Sequence, residues 1–386
     1  GFPFETAPDE ELNYRKAVRE TVLRGAASSR LAIYHHVVRR QVTPSFPVSP
    51  EEPFCRTLDA RWRDQLASRR LYVNDIFLTL VLRPTQGSAG FLERLMKGPR
   101  VRDGDIARDL RELHATREAF AAALSPYGAR TLGLYTAAGG AQRSELAEFL
   151  GLLLNGELRP VLAPTGDFSH AIATRRLSFG LDAMEFGPGQ AGASTFGAMV
   201  SMKDYPARTA PGLLDGVLRL PMEMVLTESF AFVDRQAALD RMGLALRRLK
   251  AAEDDAYSLR AELAQARDDV GAGRAAYGEH HLTILAKADS LDELDFAVAD
   301  VQGALAEAGA VAVREDVNLE PAFWAQFPAN FKYIARKGLI SAGNFAGLAS
   351  FHNHPAGAAE GNHWGPAIAV LETTAFGPYH FNFHQG

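Results

Sequence analysis

Residues Asn318 to His384 read NLEPAFWAQFPANFKYIARKGLISAGNFAGLASFHNHPAGAAEGNHWGPAIAVLETTAFGPYHFNFH, and the interpretation of the whole sequence starts from this stretch. From Asn318 onward the chain holds 12 of its 36 aromatic residues and five of its 11 histidines. After Lys337, only Glu360 and Glu372 carry a formal charge. Burying one aromatic side chain is worth roughly 1.5–3 kcal/mol, so this composition is not typical of a solvated surface. We expect the stretch to be packed core, or a face that another element covers.

Short motifs follow one another in this stretch with a defined order and spacing. They are Pro321–Asn330, Arg336, Ser341, Asn344-Phe345, His352-Asn353, Gly361-Asn362, Trp364-Gly365 and Gly377–His384. Further motifs lie upstream, at Leu71–Thr79 with Arg83-Pro84, Lys203–Pro206 and Glu279–Thr283. In these motifs the sequence resembles the CagE/TrbE/VirB family, the large ATPase of bacterial type IV secretion and conjugation systems. The resemblance covers most of the chain.

The sequence departs from the family pattern in three places. Ala329 stands where the family commonly has glycine, and Ala358 stands where a lysine is frequent after Gly357. In the family, a phosphate-binding loop follows the Phe-Asn-Phe-His run within a few residues, and the sequence reaches Gly386 without one. We therefore expect the N-terminal region of such an ATPase, truncated before the Walker A loop.

The resemblance implies an activity and partners for the parent protein. It implies ATP hydrolysis with magnesium, which powers pilus biogenesis and the transfer of substrate or DNA. It also implies a hexamer-type homo-oligomer at the cytoplasmic face of the inner membrane, beside a small inner-membrane subunit and the other secretion ATPases. The chain itself has no Gly-Lys-Ser/Thr cradle, so we expect no cofactor and no catalysis in it. Its expected role is docking and assembly, with its own missing motor domain as the first partner.

The motif residues are candidates for an interface, and none of them is predicted to be catalytic or to bind a metal. They are Phe323, Trp324, Gln326, Asn330, Arg336, Asn344, His352, Trp364 and His384. The polar ones among them could line a face toward nucleotide or a neighbouring subunit. An equally good interpretation is that they hold loops in place through hydrogen bonds to the backbone.

Two other classes of function remain as alternatives. The first is a metal-dependent enzyme built on the histidines between His352 and His384, because His352 and His354 have the i, i+2 spacing of strand ligands. Pro355 ends any strand at that point, and histidines in an aromatic wall also serve as hydrogen-bonding groups. The second is a nucleic-acid binder that uses the Arg-rich helix Cys55–Arg70. The net charge of −5 argues against a general nucleic-acid surface, so we predict no stable nucleic-acid binding.

The whole composition is that of an ordinary globular protein. Of its 386 residues, 47% are hydrophobic and 23% are charged, and the single cysteine, Cys55, excludes an internal disulfide. No apolar run approaches the roughly 20 residues that a membrane helix needs. The expected location, peripheral at the inner membrane on the cytoplasmic side, rests on the resemblance alone.

The sequence predicts an α+β fold with mixed, mostly antiparallel sheets and packed helices. Strands are expected at Ser29–Val38, Tyr72–Leu82, Thr195–Lys203, Met222–Val233 and His281–Lys287. Residues Gln236–Ala276 are helical, as one long helix or a helical hairpin. Pro160 and the Pro164–Gly166 turn suggest a boundary, which gives an N-terminal subdomain 1–165 and a second subdomain 166–317. The resemblance implies that residues 318–386 are the first strands of a RecA-like motor domain.

Overall fold

A nine-stranded antiparallel sheet organises the part of the chain that the computed structural model describes, residues 1–46, 51–84, 103–189, 192–251, 257–363 and 365–383. The strands in the described ranges are β1 Phe2–Pro3, β2 Leu31–Val42, β3 Leu71–Leu82, β4 Leu134–Thr136, β5 Gln142–Ser144, β6 Leu177–Phe179, β7 Met184–Phe186, β8 Thr195–Asp204, β9 Glu223–Phe232, β10 Tyr277–Ala288, β11 Val311–Arg314, β12 Gly338–Ser341, β13 His352–Asn353, β14 Ala369–Glu372 and β15 Pro378–Phe381.

Ten α-helices accompany these strands in the same ranges, in agreement with the predicted α+β class. They are α1 Asp9–Gly25, α2 Pro53–Ala67, α3 Asp103–Ala123, α4 Glu145–Asn155, α5 Phe168–Ile172, α6 Arg235–Ala251, α7 Tyr257–Gly271, α8 Leu291–Glu307, α9 Leu319–Ala325 and α10 Ala342–Leu348. Short 3₁₀ turns lie at Ser125–Tyr127, Val217–Arg219 and Phe331–Tyr333.

The order of strands in the sheet is β3-β2-β9-β10-β8-β7-β6. One edge of β10 pairs with β9 over its length, and the other edge is shared, first by β12 and then by β8. Strand β11 pairs with β8. The sheet therefore takes strands from all three predicted divisions of the chain, whose boundaries stay a prediction.

The central strands are covered on both faces. All nine residues Leu31–Arg39 of β2 are buried, a continuous run that is typical of a strand packed on both sides. One face packs against α1, α3, α8 and α10, and the other against α4 and α9. Representative core residues are Leu23, Phe120, Val301 and Phe345 on the first face, and Phe149, Leu153 and Phe323 on the second.

Strand β2 extends four residues past its predicted end at Val38, through the charged sequence Arg39-Arg40. Burial of Arg39 is compensated because its guanidinium donates to three oxygens, Leu220 O at 2.6 Å, Asn74 Oδ1 at 3.0 Å and Ala375 O at 2.7 Å. These three partners come from distant parts of the chain, so the sequence pattern gave no indication that the strand continues.

The predicted helical segment Gln236–Ala276 is a hairpin of two helices. Helices α6 and α7 pack against each other around Met242 and Val270, with Leu239 and Leu263 beside them. The structure therefore resolves the alternative that the sequence left open, in favour of the hairpin.

Ala329 has a left-handed backbone, with φ 73°, between α9 and the Phe331–Tyr333 turn. In the left-handed region of backbone dihedral angles, the Cβ of an L-residue comes close to a carbonyl oxygen. This close approach costs roughly 1 kcal/mol, and glycine avoids it because it has no Cβ. The glycine that the resemblance implies at this position would therefore have a conformational reason.

Replacing Ala329 by glycine is expected to raise the free energy of unfolding by about 0.5 kcal/mol, because relief of the left-handed strain exceeds the added entropy of the unfolded chain. Urea denaturation measures the change. Ala173, also exposed but with φ −80°, is the matched control, and Ala173→Gly should lower the same free energy. A loss of stability in Ala329→Gly equal to that of the control would contradict the assignment of strain.

Candidate functional site

Phe323 and Trp324, two of the predicted aromatic candidates, belong to a cluster that closes one face of the sheet. Phe323 is fully buried, and its ring centroid lies 5.6 Å from that of Phe179 and 6.2 Å from that of Phe186. Trp324 is half-buried, and its Nε1 donates to Glu320 Oε1 at 3.2 Å. The aromatic side chains at the start of the Asn318–His384 stretch, which we call the aromatic tract, therefore belong to the core, as the composition predicted.

The predicted polar candidates are bound within the protein. The Gln326 side chain donates to Phe323 O at 3.1 Å, and Asn330 Nδ2 donates to Trp324 O at 2.9 Å. The Arg336 guanidinium makes two hydrogen bonds to the buried carboxylate of Glu315, at 2.7 and 3.2 Å. Such bidentate pairs fix geometry as well as charge, so these groups hold the tract in place.

Asn344 and His352 are also engaged in internal contacts. Asn344 Oδ1 accepts a hydrogen bond from Thr209 Oγ1 at 3.1 Å. His352 is buried; its Nδ1 lies 2.8 Å from Asp215 Oδ2, and its ring stacks on Phe4 at 4.8 Å. The remaining two candidates, Trp364 and His384, lie outside the described residues.

The stacking of Phe4 on His352 belongs to a contact between residues 2–4 and the segment around His352. Strand β1 pairs in parallel with β13, with Phe2 opposite His352 and Pro3 opposite Asn353. The aromatic tract is therefore joined to the start of the sequence as well as to the sheet.

The described histidines among those considered for a metal site do not form a metal-binding group. Within the described ranges, no group of three or more His, Cys, Asp or Glu side chains is arranged to hold a metal ion. His352 faces Asp215, His354 lies 3.5 Å from Glu5, and His380 Nδ1 contacts Ala356 O. The metal-enzyme alternative gains no support from these residues.

Helix α2 carries an apolar ridge of which only the second half is covered. Phe54, Leu58, Trp62 and Leu66 follow at steps of four and so lie above one another on one side of the helix. Trp62 Nε1 donates to Val370 O at 2.7 Å, and Leu66 packs on Val370 of β14. In contrast, the side chain of Phe54 is 80% exposed and that of Leu58 is 60% exposed.

The β14–β15 ribbon under this helix also exposes large apolar side chains. They are Ile368, Leu371 and Phe376, with Phe383 just beyond the ribbon. An isolated two-stranded ribbon is marginally stable in water, so exposed edges and apolar side chains of this kind favour further contacts. We use the name open apolar surface for Phe54 and Leu58 of α2 together with these four residues, of which Leu371 points to the face of the ribbon opposite Val370 and α2.

A second group of residues, which the sequence analysis did not single out, lies inside the sheet. Glu228 of β9 is fully buried; its Oε2 is 2.6 Å from His35 Nδ1 of β2, and its Oε1 is 3.5 Å from His280 Nε2 of β10. The hydroxyl of Tyr205 lies 2.8 Å from His280 Nδ1 and donates to His280 O. Burial alone would raise the pKa of Glu228, and the two flanking histidines outweigh it and lower the pKa to about 2.

Two more histidines lie on the opposite face of the same strands. Burial lowers the pKa of His36 to about 4, although its Nε2 contacts Gln326 O at 2.8 Å. Burial likewise lowers the pKa of His281 to about 3, and His281 Nδ1 is 3.4 Å from Ser229 Oγ. Both side chains are therefore neutral at physiological pH.

The sequence contained one signal for these residues. Two histidine doublets, His35-His36 and His280-His281, fall in or beside predicted strands, where successive side chains point to opposite faces. A doublet in a strand that is buried on both faces therefore places one imidazole in each core. The partner Glu228 stands 193 residues from His35, and no local pattern connects the two.

In the part of the chain that the structure describes, none of the helices combines the length and the apolar character needed to cross a bilayer.

Comparison with known proteins gives two family matches and several relatives. The model of the CagE, TrbE, VirB family, component of type IV transporter system, matches residues 130–336. The model of the type IV secretion system ATPase VirB4/TrbE, N-terminal domain, matches residues 1–89.

The relatives match this chain over its full length. The type IV secretion system protein virB4 of Bartonella henselae is 36% identical, and the protein virB4 of Agrobacterium tumefaciens is 33% identical. The type IV secretion system protein PtlC of Bordetella pertussis is 30% identical. The matches cover 47–49% of these relatives, so the chain spans about half their length.

The buried neutral histidines make stability depend on pH. In the unfolded chain a histidine titrates near 6.5, whereas His36 and His281 titrate near 4 and 3 when folded. Between these folded values and about pH 6.5, the unfolded state binds more protons than the folded state. The free energy of unfolding should therefore fall as the pH drops below about 6.5, by up to about 1.4 kcal/mol per pH unit for each of the two histidines. Urea denaturation at pH 7.5, 6.0 and 5.0 measures this slope.

The variants His36→Gln and His281→Gln should each make the slope shallower between pH 6.5 and 5, since a titrating group is removed. His170→Gln, which changes an exposed side chain, is the control and should leave the slope unaltered. The same slope in all three variants would show that other groups cause the acid sensitivity.

Proposed function

Because the chain belongs to the CagE, TrbE, VirB family of type IV transporter components, we propose that it is the docking and assembly region of a type IV secretion ATPase. The observation that carries this role is the open apolar surface on α2 and the β14–β15 ribbon. The surface lies at the end of an otherwise well-packed aromatic tract, and large apolar side chains that remain exposed mark sites of association.

The proposed first partner of the open apolar surface is the motor domain of the same parent protein. Residues 318–383 supply both the tract that is packed on the sheet and the ribbon that carries exposed Ile368 and Leu371. A domain that follows this ribbon in the chain could contact Phe54 and Leu58 through a short linker, because α2 packs on the ribbon. The proposal extends to a hexamer-type assembly beside the inner membrane, with a small membrane subunit and other secretion ATPases as neighbours.

Catalysis is assigned to another part of the parent protein. The 386 residues contain no Gly-Lys-Ser or Gly-Lys-Thr sequence, and phosphoryl transfer depends on such a cradle with its lysine and a magnesium-binding hydroxyl. In the parent, ATP hydrolysis would power pilus biogenesis and the transfer of substrate or DNA, and this region would transmit the work to its partners.

Cys55 offers a direct probe of docking, because it is the single cysteine of the chain, is exposed, and lies next to Phe54 on α2. We expect its alkylation by N-ethylmaleimide to be about tenfold slower in the proposed parent protein with its motor domain than in the 386-residue chain, since a docked domain would cover it. Peptide mass spectrometry follows the modification. The double variant Phe54→Ala, Leu58→Ala should restore the fast rate in the parent protein.

A cysteine introduced at exposed Leu181, in the β6–β7 turn, serves as the control and should react equally fast in both proteins. Equal rates at Cys55 in the two proteins would contradict the proposed docking of the motor domain on α2.

The absence of catalysis is tested by calorimetry with ATP and magnesium. The 386-residue chain should give no saturable heat up to about 1 mM ATP and should release no phosphate, because it lacks the phosphate cradle. The proposed parent protein, with its motor domain, is the positive control. A micromolar dissociation constant, or measurable hydrolysis by the 386-residue chain, would overturn this assignment.

A further inference from the structure

A cavity of about 400 Å³ opens between the central strands and the segment that follows α9. Its floor is formed by Ser229 of β9 and His281 of β10, and the turn containing Phe331 overhangs it. Arg83, at the end of β3, and Lys337 also line it. The volume falls in the range of roughly 300–1,000 Å³ that is usual for small-molecule sites.

The charged groups at this cavity favour an anion. The carboxylate of Glu279 accepts a hydrogen bond from Arg241 at 2.9 Å and lies 3.4 Å from Lys337 Nζ. Burial would raise the pKa of Glu279, and the two cations outweigh it and lower the pKa, so the carboxylate stays ionised. Among the described residues that line the cavity, two are cations, Arg83 and Lys337, and one is a carboxylate, Glu279, which leaves one surplus positive charge.

The position of Arg83 is fixed independently of any ligand. Its Nη2 donates to Ser29 O at 2.7 Å and to Phe232 O at 2.6 Å, and its Cζ lies 5.5 Å from the centre of the Phe331 ring. The buried Nε has no hydrogen-bond partner among the described residues. A planar cation that is held in advance in this way binds an anion with little loss of side-chain entropy.

The floor supplies polar groups deeper in the cavity. His281 and Ser229 are 97–98% buried and stand opposite each other in the register of β9 and β10. In the same row, on β2, Tyr34 is fully buried, and its hydroxyl has no hydrogen-bond partner among the described residues. Buried polar groups are nearly always bonded, so the Tyr34 hydroxyl, which has no partner among the described residues, is an unusual group beside this floor.

Apart from His280, the rest of the lining is apolar. Phe331 and Ile334 cover the cavity from above, and Val81, Leu82 and Ala231 line it from the sheet. An apolar ligand body would therefore be removed from water here, which adds to the attraction between the charges. Neither bare phosphate nor an uncharged ring satisfies both parts of the cavity.

We propose that this cavity binds a small organic anion, a phosphate monoester or a carboxylate, whose head group is held by Arg83 and Lys337 and whose apolar body packs under Phe331. The site is separate from the open apolar surface and does not depend on the docking role.

Ligand-observed NMR and calorimetry with four probes test the site: phenyl phosphate, benzoate, inorganic phosphate and benzyl alcohol. At least one of the two aromatic anions should bind about tenfold more tightly than both inorganic phosphate and benzyl alcohol, because only an aromatic anion uses the cations and Phe331 together. Binding of one aromatic anion alone also supports the proposal and identifies the head group.

The variant Lys337→Met should weaken binding of the aromatic anion about tenfold, since one of its two cations is lost. Lys332→Met is the matched control, because Lys332 is an exposed lysine five residues away that does not line the cavity, and it should leave the affinity unchanged. Circular dichroism confirms that both variants are folded.

Absence of binding by both aromatic anions at about 10 mM would overturn the proposal. Equal weakening by the two lysine variants, or an affinity for benzyl alcohol or inorganic phosphate as high as that for the aromatic anions, would overturn it as well.

Discussion

The buried carboxylate of Glu228 is the constraint on which the arrangement of the sheet depends. A carboxylate without solvent is strongly unfavourable unless it is paired, and Glu228 meets its two partners on the strands to either side, His35 and His280. The register therefore places His35 directly opposite Glu228, and it places His280 diagonally, two residues along β10 from Leu282, which stands opposite Glu228. A slip of β2 by one residue would turn His35 toward the opposite face and remove the closer of the two partners of Glu228.

The same alternation explains why polar groups occur in both cores. Each histidine doublet places one imidazole on the face of Glu228 and the next on the face of Gln326, where it is held neutral by burial. The interior of this sheet thus contains fixed hydrogen-bonding geometry on both sides. We infer that it specifies one strand order more precisely than an aliphatic core of the same size would.

Sequence reasoning predicted the central strands, the α+β class and the family because each rests on local information. Runs of β-branched and aromatic residues mark β2, β3 and β9, and the family motifs are contiguous. The contacts that give the candidate residues their roles are not local. His352 reaches Asp215 across 137 positions, and Arg39 is satisfied by three separate segments, so no periodicity in one chain identifies these partners. The composition of the C-terminal stretch predicted packed core or a face that another element covers. The sequence did not indicate that Phe54 and Leu58 of α2 also belong to the open apolar surface, because they lie about 300 residues earlier.

The pairing of β1 with β13 has a consequence for the order of folding events. It joins residues about 350 positions apart, and closing so long a loop is entropically unfavourable until the intervening chain is already compact. We therefore expect the stacking of Phe4 on His352 to form late, after the large sheet has brought residues 2–4 and 352–353 together. On this expectation, the segment around His352 reaches its final contacts only after strand β1 has paired with β13.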